Sequence, residues 1–209
     1  VSGIQILGQD FNRIDEEIEA VATQLNFKVK EWNLGYGWVD FKTKRALKPD
    51  QDPLLFQDLK TIADDDPMGR IYVIQNAYSV LKDDIRAIAR LQQELLRIKR
   101  HFRGQAAIFL VSNESIEFPD LVDLLIPFSC TPLSLDQVDE IFHSLLHNSS
   151  ISVTTAVRNS LKSIFSGMER EMVFRIFETL KNKYEGTFPQ ESVGDALALK
   201  KIALSRSGL

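Results

Sequence analysis

Apolar residues are distributed along this chain in two distinct rhythms. In the first two thirds, short apolar runs alternate with helical stripes. Ile4-Gln5-Ile6-Leu7 reads as a strand ending at Gly8, and Asp10 is placed to cap the helix after it, whose stripe is Ile14, Ile18, Val21, Ala22 and Leu25. Phe27 to Trp32 alternates as a second strand, and the Gly35 and Gly37 turn makes Trp38-Val39-Asp40-Phe41 its hairpin partner. A polar loop spans Lys42 to Asp52. Pro53 then suits the first position of a helix facing inward with Leu54, Leu55, Leu59 and Ile62. The run Ile71-Tyr72-Val73-Ile74 follows the breaker Asp66-Pro67-Met68-Gly69 and has the unbroken apolarity of a strand buried on both faces. After it, Lys82 to Arg103 predicts the longest helix, with Ile85, Ile88, Leu91, Leu95, Ile98 and Phe102 on one stripe and Gly104 as its stop. Ala106 to Ser112 and Leu124 to Phe128 complete the strands.

Beyond Pro132 the rhythm is helical throughout. Ser134 and Gln137 have the spacing of a capping box before Leu135, Val138, Ile141, Phe142 and Leu145. Further helices are predicted at about Val153–Phe165, Met168–Lys181 and Gln190–Leu204, with no strand among them. The pattern predicts an α/β subdomain over 1–132, with a mostly parallel sheet and flanking helices, and an all-helical, lid-like subdomain over 133–209. The stripes of the second unit need a partner face, so Leu135, Val138, Phe142, Phe165 and Phe174 are expected to bury against the α/β unit.

Composition adds bounds. With 209 residues, 44% apolar and 26% charged, the chain has ample material for a core. Its net charge of -4 argues against coating nucleic acid, and the single Cys130 rules out an internal disulfide. No apolar run reaches membrane-spanning length and no leader precedes Gly3, so no membrane partner is expected. The ending Ser205-Arg206-Ser207-Gly208-Leu209 lacks a terminating pattern, and the chain reads as a piece of something longer.

Two sets of residues carry a resemblance. One runs from Ile71 to Val80 through Phe109-Leu110-Val111-Ser112-Asn113, Phe118-Pro119 and Thr131-Pro132-Leu133 to Asp139-Glu140-Ile141; the other joins Gly167-Met168 to the segment Lys200 to Leu209. Their order resembles the N-terminal part of a poorly characterised AAA ATPase family known from cyanobacteria, chloroplast genomes and many other bacteria. In that family a degenerate AAA-like half precedes the half with the ATPase motifs. The resemblance implies a P-loop-NTPase-like fold, a cytoplasmic or stromal protein, and ATP and Mg²⁺ held by the parent's downstream domain. It implies that domain and other AAA subunits as partners.

The residues themselves deny this chain the chemistry. A phosphate cradle needs converging glycines, a lysine and a Ser/Thr. The matching turn, Leu7-Gly8-Gln9-Asp10-Phe11-Asn12-Arg13, offers Gly8 alone, and Asp10 would repel phosphate. The acids that should follow the central strand are Gln75 and Asn76, amides expected to cap the strand and bind nearby backbone. Asn113, where a water-positioning residue would stand, is expected to close the Asn113-Glu114-Ser115 turn. Phe118 to Phe128 has no arginine to reach a neighbour's site, and Arg170 reads as a surface arginine in preference to a lid arginine. No catalytic residue, cofactor or metal is therefore expected here.

Arg86, Arg90, Arg97 and Arg100 share one face of the long helix and define a candidate face for an anionic partner. The helix dipole accounts for the cations at its end, and the expectation is that this face does not dominate nucleic-acid binding. Trp32, Tyr36 and Trp38 fit hairpin packing better than a stacking platform. His101, His143 and His147 have no triad or metal spacing. The expected function is a non-catalytic assembly or regulatory module of a larger AAA ATPase. An ATPase-dead, clamp-loader-like subunit binding protein partners near DNA is the alternative.

Overall fold

The computed structural model describes residues 2–8, 10–47, 52–130 and 133–206. The chain forms two compact units, Val1–Cys130 and Thr131–Leu209.

The first unit is built on a six-stranded sheet. In chain order its elements are β1 (Gly3–Leu7), α1 (Phe11–Leu25), β2 (Lys28–Asn33), β3 (Gly37–Asp40), α2 (Leu55–Asp58), α3 (Lys60–Asp64), β4 (Arg70–Ile74), α4 (Ala77–Leu81), α5 (Ile85–His101), β5 (Ala106–Ser112), α6 (Pro119–Val122) and β6 (Leu125–Ser129). Strand order is β3-β2-β4-β5-β1-β6, antiparallel only between β2 and β3. The central strand is buried as its apolar run demands, Ile71 at 1% exposure and Tyr72, Val73 and Ile74 at 0%. Alternation sends Tyr72 and Ile74 into one core with Leu59, Ile62, Leu91 and Leu95, and Ile71 and Val73 into another with Ile14, Ile18 and Ala22. Helix α1 thus serves one sheet face, and α2 to α6 serve the other. On the edge strand β6, the Cys130 N–H donates to Leu7, so Pro127, of opposite parity, turns its missing donor outward, where an edge tolerates it.

Several boundaries differ from the sequence pattern. Helix α5 begins at Ile85, because Asp84 Oδ1 accepts from the N–H groups of Arg86 and Ala87 and fixes the start there. Ile85 is consequently 81% exposed, and Ala77–Leu81 forms a separate short helix. The helix ends at His101, before Gly104 at φ +76°. Pro53 lies outside the helix it was expected to start, and Leu54, the extended residue before α2, is exposed. Val21 and Leu25 are also exposed, since α1 buries only the narrow line Ile14, Ile18, Ala22.

The second unit contains α7 (Leu135–Ser149), β7 (Ser152–Val153), α8 (Thr155–Phe165), α9 (Arg170–Lys183), β8 (Thr187–Phe188) and α10 (Glu191–Arg206). Ser134 and Gln137 form both bonds of the capping box. Val138, Phe142 and Phe165 find their partner face inside this unit, among Leu161, Phe177 and Phe188. Leu135 is exposed and Phe174 only half-buried, which corrects two of the five expected buried positions. The absence of strands is corrected as well: β7 and β8 pair in parallel, Ser152 beside Thr187 and Val153 beside Phe188. Two residues per strand are too few to leave a period in the sequence.

Candidate functional site

In an α/β sheet of this kind ligands approach the carboxyl ends of the strands, and five of the named residues, Gly8, Asp10, Gln75, Asn76 and Asn113, come from that edge. After β1, the Gly8 N–H donates to the Ser112 carbonyl at 3.1 Å. A Cβ at Gly8 would come within 3.1 Å of Ile14 and 3.3 Å of Cys130. This glycine therefore serves close packing. Asp10 is the N-cap of α1; its Oδ1 accepts from the Arg13 N–H at 3.0 Å. Only 8% exposed, it puts a carboxylate at the end of the helix where an anion would bind. Its Oδ2 has no partner among the described residues.

After β4, the Gln75 N–H donates to the Trp32 carbonyl at 2.9 Å. Its side chain was expected to bind backbone; instead Nε2 donates to Asp15 Oδ1 of α1 at 3.2 Å. Asn76 is exposed at φ +52° and makes no side-chain cap, so it enables the turn into α4 by adopting the left-handed conformation that asparagine tolerates. After β5, the turn expected of Asn113 is held by its neighbour: Ser112 Oγ accepts from the Glu114 N–H at 3.2 Å, and Asn113 is exposed.

A group that sequence reasoning missed lies beside Gln75. Lys44, in the turn after β3, sends Nζ to Asp15 Oδ2 at 2.6 Å and also donates to Glu31 Oε2 of β2. The Glu31 side chain is 5% exposed, so this ammonium is its counter-charge, seated 4.3 Å from the centre of the Phe41 ring. Burial works against the Lys44 charge, but the Asp15 and Glu31 carboxylates outweigh it and raise its pKa above the ordinary value. Cation and carboxylates here satisfy one another. Local spacing does not mark this lysine, which the structure places at φ +54°.

The arginines of α5 do not act as one surface. Arg97 Nε donates to Glu94 Oε2 at 2.8 Å and Nη2 to the Ile62 carbonyl at 2.7 Å, and Arg90 Nε lies 3.6 Å from Glu94 Oε1. Glu94, 4% exposed, thus neutralises the middle of the face. Arg86, over the Phe56 ring, and Arg100 remain exposed at opposite ends. Trp32 and Trp38 are buried, their indole N–H groups donating to Asp58 Oδ2 at 2.8 Å and to its carbonyl at 2.9 Å. Of the three aromatics only Tyr36 is exposed. In the second unit Arg170 lies over the Phe174 ring. Among the described residues no group of three or more His, Cys, Asp or Glu could hold a metal ion, and no helix is long and apolar enough to cross a membrane.

The family described as "SpoVK-like AAA ATPase, N-terminal domain" matches residues 1–125. Comparison with curated proteins gives no match. Two solved structures of RuvB from Thermotoga maritima are similar to the chain, each at 10% identity over 95% of its length. One is a point mutant, at a TM-score of 0.57; the other is titled a Holliday junction branch migration motor, at 0.58. At this identity they share the fold, the mostly parallel α/β sheet of AAA and P-loop NTPase proteins with flanking helices. The chain spans 62% and 61% of their lengths.

Proposed function

The chain belongs to the SpoVK-like AAA ATPase N-terminal domain family, and we propose that it is a non-catalytic assembly and regulatory module of a larger AAA ATPase. In this reading ATP and Mg²⁺ are held by a domain downstream, and the partners are that domain and other AAA subunits in the cytoplasm or a plastid stroma.

One observation carries the reading: the positions a nucleotide would need are taken by the chain's own charges. Asp10 puts a carboxylate at the N-terminus of α1, and a phosphate entering there would meet a like charge in a poorly solvated place. Beside Gln75, Lys44 is the cation between Asp15 and Glu31. A metal ion brought there would have to displace an ammonium already in hydrogen-bond contact with both acids. In this reading nucleotide does not favour one arrangement of the module over another, and its contribution lies in the surface it presents.

Calorimetry of the chain with Mg-ATP tests this. No binding heat is expected; micromolar affinity, equivalent to about -8 kcal/mol, would require contacts that these residues do not provide. In the full-length parent, Gln75→Ala should leave ATPase activity nearly unchanged. A folded, assembled parent that lost its activity through that substitution would make this edge a working part and refute the reading.

A further inference from the structure

The amino-terminal edge of the sheet, opposite the site just described, holds a pocket with chemistry of its own. Strands β5, β1 and β6 are parallel neighbours and begin at this edge. The residues before each strand are thereby brought together: Lys99 and Arg103 before β5, Ser2 before β1, and Asp123 and Leu124 before β6. With Leu125 and Ile126 they line a pocket of about 380 Å³. The packing beside it is tight. A Cβ at Gly3 would come within 2.7 Å of Leu95, 2.8 Å of Leu125 and 2.9 Å of the Leu124 carbonyl, so α5 and the start of β6 close directly on the β1 backbone.

Earlier on α5, Arg90 and Arg97 have Glu94 as their counter-charge. Lys99 and Arg103 are exposed, and among the described residues neither is in ion-pair contact with a carboxylate, Asp123 included. The helix dipole favours a cation at Lys99, but Arg103 lies past the end of α5, in the turn before Gly104. Ser2 is only 6% exposed, and its hydroxyl has no hydrogen-bond partner among the described residues. A nearly buried hydroxyl beside a pocket is ordinarily bonded, and here the ligand would supply the bond. An ammonium, a guanidinium and a hydroxyl thus border one pocket, and all three donate to an anionic oxygen.

We propose that this pocket binds the carboxylate side chain of an acidic peptide segment on a partner protein, with an apolar neighbour beside it. The lining sets the charge of the ligand: Lys99 and Arg103 against Asp123 leave one positive charge, which one carboxylate cancels. A phosphate monoester, with about 1.5 to 2 negative charges, would exceed that surplus and face Asp123 as well. Leu124, Leu125 and the half-exposed Ile126 give an apolar wall for the methylenes that carry the carboxylate. The volume, within the roughly 300–1,000 Å³ of ligand sites, admits that side chain and part of the next. This site lies at the edge opposite Gln75 and does not depend on whether the chain binds nucleotide.

Titration of the nitrogen-15-labelled chain with the blocked peptide acetyl-Leu-Glu-Leu-amide, followed by amide chemical shifts, tests this. Shifts are expected at Ser2, Lys99, Arg103 and Leu125, with a dissociation constant of about 1 mM for so short a probe. The glutamine counterpart, acetyl-Leu-Gln-Leu-amide, should leave these amides unmoved. Lys99→Ala combined with Arg103→Ala should abolish the response, and Asp123→Asn should tighten binding several-fold by removing a competing charge. All three side chains are exposed, so unchanged circular dichroism verifies the folds. The proposal is overturned by no shift at these amides up to about 10 mM peptide, by an equal response to the glutamine peptide, or by a response that survives the double variant. Tighter binding of inorganic phosphate or of a single-stranded oligonucleotide in the same pocket overturns it as well. Mg-ATP added to the same sample keeps the two readings apart: shifts confined to the carboxyl edge refute the non-catalytic module and leave this site standing.

Discussion

The side-chain amide of Gln75 faces the carboxylate of Asp15, with Nε2 donating to Oδ1 at 3.2 Å from the end of β4 to the second turn of α1. An acid at position 75 would put a second carboxylate against the first, with Glu31 nearby and one ammonium, Lys44, to serve all three. Gln75→Glu is therefore expected to lower stability by about 2 kcal/mol at neutral pH, the cost of losing a charge-assisted hydrogen bond and gaining a like-charge contact. The introduced carboxyl has a folded pKa above its unfolded value, so the penalty is absent below about pH 4 and grows as pH rises past it. Urea unfolding at pH 4 and pH 7 measures this, and an equal loss at both values would contradict it.

The central strand is legible from the sequence because burial on both faces demands an unbroken apolar run, and Ile71 to Ile74 supply one. The capping groups Asp10 and Ser134 are legible because their partners lie three residues away. Lys44 is different. Its partners, Glu31 and Asp15, are 13 and 29 residues distant, and no periodicity relates them. The same holds for β7 and β8, where the hydroxyls of Ser152 and Thr187 meet at 2.9 Å across 35 residues. Spacing along the chain reveals local structure; whether a charge is paired depends on folding. Glu94 is the opposite case: it lies four residues after Arg90 and three before Arg97, so its dilution of the basic face is legible from spacing alone.

Phe142 anchors the helical unit. It is fully buried, with edge-on contacts to Phe165 at 5.7 Å and Phe177 at 5.9 Å between ring centres. Phe142→Ala removes a large side chain from a core of rigid aromatics that collapse poorly into the space, at an expected cost of about 3–5 kcal/mol. Leu135→Ala, on the same helix but exposed, should change stability by under about 0.5 kcal/mol. Denaturant midpoints for the pair check the contrast, and similar losses from both would mean that the burial pattern of α7 is wrong.

Arg97 and Arg100 share a face of α5 yet should behave differently. Arg97→Ala removes the hydrogen bond to the buried Glu94 carboxylate, leaving Arg90 as its neighbouring cation, and frees the Ile62 carbonyl, and should cost about 2 kcal/mol; Arg100→Ala should cost almost nothing. Neither should alter nucleic-acid binding, since the face is half neutralised. If it were a phosphate track, each substitution would reduce the salt slope of binding by about one. Salt-sensitive micromolar binding of DNA by the unmodified chain, in a mobility-shift assay, would favour the clamp-loader-like reading.

Tyr72 links the sheet to the charges at its amino end. It is fully buried on β4, edge-on to Trp38 at 5.8 Å between ring centres, with its hydroxyl 3.5 Å from Asp65 Oδ2. Burial first, and then the Asp65 carboxylate, push its pKa up to about 12, while Arg70 offsets a part. The fold therefore favours the neutral phenol, whereas the unfolded chain ionises near the ordinary tyrosine value of 10.0. The sign follows directly: the contribution of Tyr72 is complete below pH 10, because neither state has lost the proton, and declines from about 10 to 12 as only the unfolded state gives it up. Tyr72→Phe removes the proton from both states. It should abolish the highest-pH step in a tyrosinate absorbance titration and make stability between pH 10 and 12 less dependent on pH. Tyr184 is the control, since its pKa is also raised, chiefly by its hydrogen bond to Asp195, but in the second unit. An alkaline decline in stability that persists unchanged in Tyr72→Phe and disappears in Tyr184→Phe would assign the effect to the helical unit and remove Tyr72 from the account.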